Sequence, residues 1–600
     1  MGEGAGRSRA GRVGPGAANA PGGAPAAGAT PENKHGGEER GRAGEETSGR
    51  AASARPGAGL PAGWGRYLVA PRPLGLLPGS VPPVEASVLL SLLEEDPEVR
   101  VLRQVRPSRT RGLGAIAEPT PACPPIAVVA MPAVRARALA ANSQVVVEVD
   151  QPLAYPTANP LTPTVPAVDP ALAVPLTEPA TMTVHVKGSD EEPVAGAHVW
   201  AVGSAAPAHA ITDSTGRASL VLPADLPETV RAVYVRPAGG YWPTRIDGTG
   251  LPQDRQAETT VTVRALNEDF EGFPGKAVTG WGAQAMRLTQ VPPTFRGHGT
   301  TIALLDAGIH ADHPDLKDTV VGGHDFTADS KHGWEKDATG HGTWCAGIIA
   351  AADNHTGMTG IAADTHLHAL KLYPHGRTSD LVQALDWCIT HDIDLAQINL
   401  TTTQPSQLLA WKILDTRAAG TTLIAPAGDT HTTPAFPAAL PTVLSVGALA
   451  HTGTHPDHPH TANGTAGSWA GPYLPAYTPA GADLIAPGAA VITTGAGGEY
   501  TVADGTAIAA AHVTALAALL LAHHDQLRAT AHQPRGHARV DHLTTLLRAG
   551  AHPVPGTDPA RTGAGMPDAP TTLGLTTPTW PTAPHAPGTL HNPQYAYPHA

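Results

Sequence analysis

Apolar positions fall into three regimes along the chain, and each predicts a different architecture. Between residues 63 and 152, short apolar runs alternate with stretches of helical spacing. Tyr67-Leu68-Val69, Val99 to Val105, Ile126 to Ala130 and Val145 to Val149 read as strands; Val84 to Glu95 and Ala133 to Ala141 read as helices. From 179 to 266 the period drops to two. MTVHVKG, PVAGAHVWAVG, TDSTGRASLVLP, RAVYVRP and TTVTVRAL are short alternating strands with turn signals between them, which predicts a small β-sandwich. From 267 to 575 apolar strands alternate with helices, the signature of an α/β parallel sheet covered on both faces. Within it, Asp504 to Leu521 (DGTAIAAAHVTALAALLL) is a helix with almost no polar face. Such a helix belongs in the middle of a large domain.

The first regime, strand–helix–strand–strand–helix–strand, has the order of the ferredoxin-like split motif. The segments outside the three regimes have little to bury. Residues 1–62 are Gly, Ala, Arg and Glu with almost no large apolar side chains, and 576–600 are rich in Pro, Thr and His. Neither offsets its ordering entropy, so both are expected to be disordered tails. Residues 153–178 read as a Pro/Thr/Ala linker, and the proline-rich loop around Pro119 to Pro125 has no assigned role. Seventeen of the 66 glycines and twelve of the 61 prolines lie in these two tails.

Charge and cysteine content narrow the partners. A net charge of -13 argues against nonspecific nucleic-acid binding. Cys123, Cys345 and Cys388 are too few for a disulfide framework and lack zinc spacing, which suits a reducing compartment. The N-terminal arginines have no apolar h-region after them, and no apolar run is isolated enough to predict a membrane span. The expectation is no membrane contact and a cytoplasmic location; a misassigned start codon would remove that argument.

Candidate chemistry sits where strands end and helices begin. Ile302 to Leu305 is a strand followed by Asp306-Ala307-Gly308-Ile309 and then HADHPDL. A carboxylate at that strand end, in the crevice of an α/β sheet, is placed to orient a histidine. Gly340-His341-Gly342-Thr343 opens a helix. Gly505-Thr506-Ala507 opens the apolar helix, whose first turn offers free N–H groups and the positive dipole end. Alone, a strand-end aspartate or a histidine under a glycine turn is an ordinary structural feature.

Together these segments resemble the subtilisin-like serine proteases (subtilases). The family motifs D-[ST]-G-I, HGTxxAG, INxSLG, VxAAGN and GTSMAxPHVAG are approached at Asp306, His341, Ile398-Asn399, Leu423 to Asp429 and Gly505 to Val513. GAGMPDA, ending at Ala569, resembles the family's closing pattern. The resemblance implies that Asp306 is the triad aspartate and His341 the general base. It implies that Ala507 occupies the position of the nucleophilic serine. Asp429 stands where the oxyanion-binding asparagine belongs, and Thr401, Thr402 and Thr403 replace the Ser-Leu-Gly of the substrate strand. The branched Thr403 is expected to narrow the primary pocket. Asp429, acceptor-only when ionised, would repel an oxyanion; aspartate also occurs there in an active branch of the family. Ala307 and Ala511 are further departures. Cys345 is expected on the far side of its helix turn, as packing and not as a substitute nucleophile.

The resemblance extends outward. Residues 63–152 are similar to the subtilase propeptide, with the ending matched at Val145 to Pro152, although an independent ferredoxin-like binding domain would show the same order. Pro193 to Ala197 and Thr212 to Leu220 resemble the carboxypeptidase regulatory-like (transthyretin-like) module. The implied function is a serine endopeptidase homologue without its nucleophile. Such a pseudoprotease would bind peptide or protein partners, with its own propeptide-like domain lying over the cleft. The alternative is an active endopeptidase whose nucleophile is supplied otherwise or in which Ala507 is an engineered change. No cofactor is required. Asp315 and Asp353-Asn354 match positions that bind calcium in the family, and helix-end capping by Asp and Asn explains the same residues equally well. His451 to His460 could chelate a metal but reads first as solvated surface.

Overall fold

The computed structural model describes residues 60–72, 83–106, 123–156, 178–203, 207–251, 258–429, 433–455, 471–530 and 535–575. Residues 1–59 and 576–600 of the expected tails, 157–177 of the expected linker, 119–122 of the proline-rich loop and 456–460 of the histidine run lie outside them.

Residues 64–149 form β1 (Trp64–Pro71), α1 (Ala86–Glu95), β2 (Arg100–Val105), β3 (Ile126–Pro132), α2 (Ala133–Ala140) and β4 (Val145–Val149). The strands pair antiparallel in the order β2-β3-β1-β4. Alternation along them feeds two cores. Val69, Ala127, Val129 and Met131 join Leu89 and Leu93 of α1 and Ala136 of α2. Leu68, Ala70, Val128 and Val146 face the other way, into a cluster shared with the large sheet. Burial of both faces explains why Ile126 to Met131 is apolar throughout instead of alternating. A four-stranded sheet with one face left in water would bury far less, so the large domain completes this core.

Seven strands follow: β5 (Ala180–Gly188), β6 (His198–Val202), β7 (Ala208–Ile211), β8 (Arg217–Leu222), β9 (Ala232–Arg236), β10 (Thr244–Asp247) and β11 (Thr259–Val263). They make two sheets, β10-β9-β6-β7 and β11-β5-β8, around one core. Met182, Val184 and Val186 meet Val199, Ala201, Val233 and Val235 there. The opposite face of β9 carries the buried Arg236. Its guanidinium lies 4.2 Å from the centre of the Trp344 ring and donates to the Val502 carbonyl at 3.3 Å. The Gly240 N–H donates to the Tyr500 carbonyl at 2.7 Å. These contacts fasten the two-sheet segment to the large domain.

The large domain contains α3 (Trp281–Ala285), β12 (Thr301–Asp306), β13 (Val320–Asp325), α4 (His341–Ala350), β14 (His366–Lys371), α5 (Thr378–Thr390), β15 (Leu395–Ile398) and α6 (Gln407–Ala418). It continues with β16 (Thr422–Pro426), β17 (Leu444–His451), β18 (Pro472–Tyr473), β19 (Leu484–Pro487), a hairpin of β20 (Val491–Thr494) and β21 (Tyr500–Ala503), and α7 (Thr506–His523). Strands β13-β14-β12-β15-β16-β17-β19 are parallel in that order, and β18 pairs antiparallel with β17. Ile302 and Leu304 point to the face covered by α4 and α7, and Ala303 and Leu305 to the face covered by α5 and α6. Every side chain of α7 from Thr506 to Leu520 is buried. By length and apolarity this helix could cross a membrane; here it is enclosed by the sheet and by α4. The fit of α4 on β20 is tight at Gly347, where a Cβ would come within 2.3 Å of the Thr494 hydroxyl. The fold is a subtilisin-like α/β architecture with helices on both faces of a parallel sheet.

Candidate active site

Strand β12 ends between β14 and β15, where connections leave in opposite directions and a crevice opens at the carboxyl ends. Asp306 is its last residue, and its carboxylate is fully subscribed. Oδ1 accepts from the Ala307 N–H at 2.8 Å and the Tyr155 hydroxyl at 2.7 Å. Oδ2 accepts from His341 Nδ1 at 2.8 Å and Asn399 Nδ2 at 2.6 Å. Burial by itself would raise the Asp306 pKa, but the His341 charge and these donors outweigh it and hold the group below its ordinary value. Burial likewise works against the charged form of His341, yet Asp306 beside it raises the imidazole above its ordinary value. With Nδ1 committed, Nε2 is the nitrogen left for the cleft.

Cys345, one turn along α4, lies beneath this pair and not on the far side as the sequence reading had it. Its sulfur is within 4.8 Å of ligand atoms of both Asp306 and His341, 3.4 Å from Asn399 Nδ2 and 3.8 Å from the Ala507 carbonyl oxygen. Burial pushes the thiol well above its ordinary pKa, so it is a neutral packing group below the cleft. The three side chains do not suit a metal ion, because both Asp306 oxygens already take two donors each.

The head of α7 closes the site from the other side. Gly505 has φ +135°, a conformation that side chains rarely adopt, and this swings the chain from β21 into the helix. The Thr506 N–H donates to Asp429 Oδ1 at 3.1 Å, and the Thr506 hydroxyl accepts from the Gly428 N–H at 3.1 Å. Ala507 follows, 6% exposed, with a methyl group as its whole side chain. Burial pushes the Asp429 carboxyl up to about 6, against the lowering effect of the Thr506 donors and His341. A carboxyl whose folded pKa is raised binds more protons folded than unfolded, so its contribution to stability falls as pH rises from about 4 to about 6. Asp429→Asn is therefore expected to stabilise the chain above pH 6, by roughly 1–2 kcal/mol after solvent screening, and to change little at pH 4. Denaturant midpoints at the two pH values check this; an equal change at both would refute it.

Residues 150–156 cross this site as an extended strand. Ala154 exchanges two backbone hydrogen bonds with Thr401, at 3.0 and 2.8 Å, on one side. On the other, Pro152 bridges Arg377 antiparallel and the Leu153 N–H donates to the Gly376 carbonyl at 2.8 Å. The segment ends at Pro156, whose carbonyl accepts from the Asp429 N–H at 3.3 Å and whose ring lies against the bare face of Gly428. Leu153 is 5% exposed and Tyr155 8%. The linker expected from residue 153 therefore does not include 153–156, whose alternate side chains and backbone both find partners. Upstream, Asp150 accepts from the Ser379 N–H and hydroxyl in the first turn of α5, and Glu148 accepts from Ser406 and the Gln407 N–H at the head of α6. Two carboxylates thus cap two helix N-termini, where the dipole favours them.

The threonines of the substrate strand divide their roles. Thr401 pairs with the crossing segment through its backbone, and the buried Thr402 hydroxyl donates to the Gln404 carbonyl at 2.7 Å. Thr403 is exposed, and its hydroxyl turns to Gln151 Oε1 at 2.9 Å. Thr403 thereby holds the upstream end of the crossing segment.

Comparison with known proteins places this geometry. The family model "Subtilase family" matches residues 297–555. Subtilisin DY of Bacillus licheniformis is 31% identical over 246 residues, which cover 39% of this chain and 81% of that protein. The intracellular serine protease of Paenibacillus polymyxa is 30% identical over 254 residues, covering 40% and 72% respectively. The chain belongs to the subtilase family.

In this subtilase the Asp315 and Asn354 pair comes together, but as partners of each other. Asp315 Oδ1 accepts from Asn354 Nδ2 at 2.9 Å, and Oδ2 accepts from the Tyr500 hydroxyl at 2.8 Å and the Met358 N–H at 3.2 Å. Asn354 Oδ1 in turn accepts from the N–H and hydroxyl of Thr356. Donors aimed at both carboxylate oxygens would repel a cation, so the residues present do not fit calcium in this arrangement. EDTA is expected to leave the thermal midpoint unchanged; a fall reversed by calcium would show the opposite. Of the histidine run, His451 Nδ1 meets the Thr452 carbonyl and His455 Nε2 the Pro243 carbonyl, so each commits one ring nitrogen to the backbone.

Sequence reasoning missed Tyr155, Thr339 and Tyr373 at the site of this subtilase. Tyr155 stood in a proline-flanked stretch read as linker. Its alternation with the buried Leu153 was the one available signal.

Proposed function

We propose that this subtilase is a pseudoprotease, a peptidase fold that holds an extended peptide without cutting it. The observation that carries the reading is Ala507 at the head of α7. The methyl group stands where the family motif has its serine, beside a histidine and aspartate paired at 2.8 Å. A methyl has neither a proton for His341 to take nor a lone pair with which to attack. In subtilisin, a relative, loss of the nucleophile lowers turnover by about a millionfold. Cys345 offers no replacement, because it is a neutral thiol below the cleft.

The N-terminal sheet is read as a propeptide-like domain that remains in place. Capping of α5 and α6 by Asp150 and Glu148, and the run of residues 150–156 between Arg377 and Thr401, support this. Without a nucleophile there is no step by which the chain would release it. The two-sheet segment from 179 to 266 is read as the regulatory-like module, fixed to the peptidase part through Arg236. Any peptide or protein partner that uses the cleft must displace residues 150–156.

The test is incubation of the purified chain with casein, with mass spectrometry of the chain itself. The reading expects no hydrolysis and an unshortened chain. Hydrolysis blocked by a serine-protease inhibitor, or the appearance of a self-trimmed form, would overturn it.

A further inference from the structure

The crossing segment shows what side chain the cleft is built to hold. Tyr155 enters a pocket formed by His341, Tyr373, Thr339 and Asp306. Its ring centre is 4.5 Å from that of His341 and 4.8 Å from that of Tyr373, both tilted, and only 8% of the residue is exposed. Its hydroxyl donates to Asp306 Oδ1 at 2.7 Å and lies 3.1 Å from Thr339 Oγ1. Thr339 is itself fixed, since its N–H donates to Asp337 Oδ1 at 2.9 Å and its hydroxyl accepts from the His341 N–H at 3.2 Å. Two residues earlier Leu153 enters the cluster that contains Leu372 and Leu381. Ala154, between them, contributes backbone hydrogen bonds and is exposed.

We propose that the pocket of Asp306, Thr339, His341 and Tyr373 reads a tyrosine hydroxyl, so that the ligand class of this cleft is an extended peptide with Leu-x-Tyr spacing. The inference rests on the reading of the cleft as a peptide-holding site. It adds the side chain that the site selects, and it gives Asp306 a second task beside orienting His341. A phenylalanine would fill the same volume against the two rings but leave a buried carboxylate oxygen and the Thr339 hydroxyl one partner short. A site built to bond a hydroxyl discriminates strongly against the analogue that lacks it.

The experiment uses the full chain with Leu153, Ala154 and Tyr155 each replaced by glycine, which removes the side chains that hold the native segment. A fluorescein-labelled Gln-Pro-Leu-Ala-Tyr-Pro peptide and its Phe-for-Tyr form are titrated against it. The expected result is saturable binding of the tyrosyl peptide, with the phenylalanyl peptide weaker by roughly tenfold to a hundredfold. Equal affinities would overturn the tyrosine preference while leaving the cleft a peptide site. Binding of neither peptide would overturn the peptide-holding reading itself, and this proposal with it. An independent measurement in cis is hydrogen exchange at the Ala154 and Thr401 amides in Tyr155→Phe. Exchange is expected to accelerate by a similar factor. Exchange as slow as in the parent would show that the ring alone holds the segment.

Discussion

The double variant Ala507→Ser/Tyr155→Ala is expected to hydrolyse casein where the parent and each single variant do not. Serine at 507 would supply a hydroxyl at the head of α7, within the site that holds the Asp306–His341 pair. That group is worth about a millionfold in turnover in subtilisin. Asp429, at the position that the motif resemblance gives to the oxyanion donor, is expected to take back roughly a hundred- to a thousandfold. The net gain expected over the parent is then about a thousand- to ten-thousandfold. Serine alone should show none of it, because the Tyr155 ring lies 4.5 Å from that of His341 and residues 152–154 occupy both edges of the cleft. Removing Tyr155 alone opens the cleft to no nucleophile. A single Ala507→Ser variant as active as the double would show that the crossing segment is no barrier. A double variant that remains inert while binding peptide would show that Asp429 has closed the site as well.

A stability effect of several kcal/mol is expected far from the cleft. Lys412 on α6 is only 1% exposed, and its ammonium pairs with the Asp386 carboxylate on α5. Asp415, three residues further along α6, accepts from the Cys123 N–H. Asp386→Ala leaves an ammonium buried without its partner and should cost about 3–5 kcal/mol in chemical denaturation. Lys412→Met removes the charge and keeps the volume, so it should be neutral or stabilising by about 1–4 kcal/mol. The asymmetry is the content of the prediction. Equal losses from the two changes would mean that packing, and not an unpaired charge, sets the cost.

The stability contrast points to what kind of information each level carries. Period-two and helical spacing located the strands and helices of residues 64–149 and the parallel sheet beyond them, because burial on one or two faces writes itself directly into the order of apolar side chains. The fully apolar helix after Gly505 announced its own central place. Asp306, His341 and the head of α7 were legible through their resemblance to the subtilase motifs. Each stands where an element ends, and Gly308, Gly340 and Gly505 beside them have positive φ, which side chains rarely adopt.

The resemblance implied an N-terminal domain over the cleft, but no spacing along the chain gave the side chains that meet. The stretches around Leu68 and Val128 read only as strands; the tertiary structure turns Leu68, Ala70 and Val128 onto α5 and α6, with Asp150 and Glu148 seated on their N-termini. Leu153 and Tyr155 sit among prolines and carry no period long enough to detect, so they passed for linker. Their order comes from partners more than a hundred residues away: Asp306, Thr339, Gly376 and Thr401. The same holds for Cys345, for Thr403 and for the Asp315–Asn354 pair. Each was identified as a residue type at a motif position, and each took its role from neighbours supplied by other elements. Local pattern determines the elements and their buried faces, since those depend on side chains a few positions apart. Contacts between distant segments determine what the elements do together, and no spacing along the chain records them.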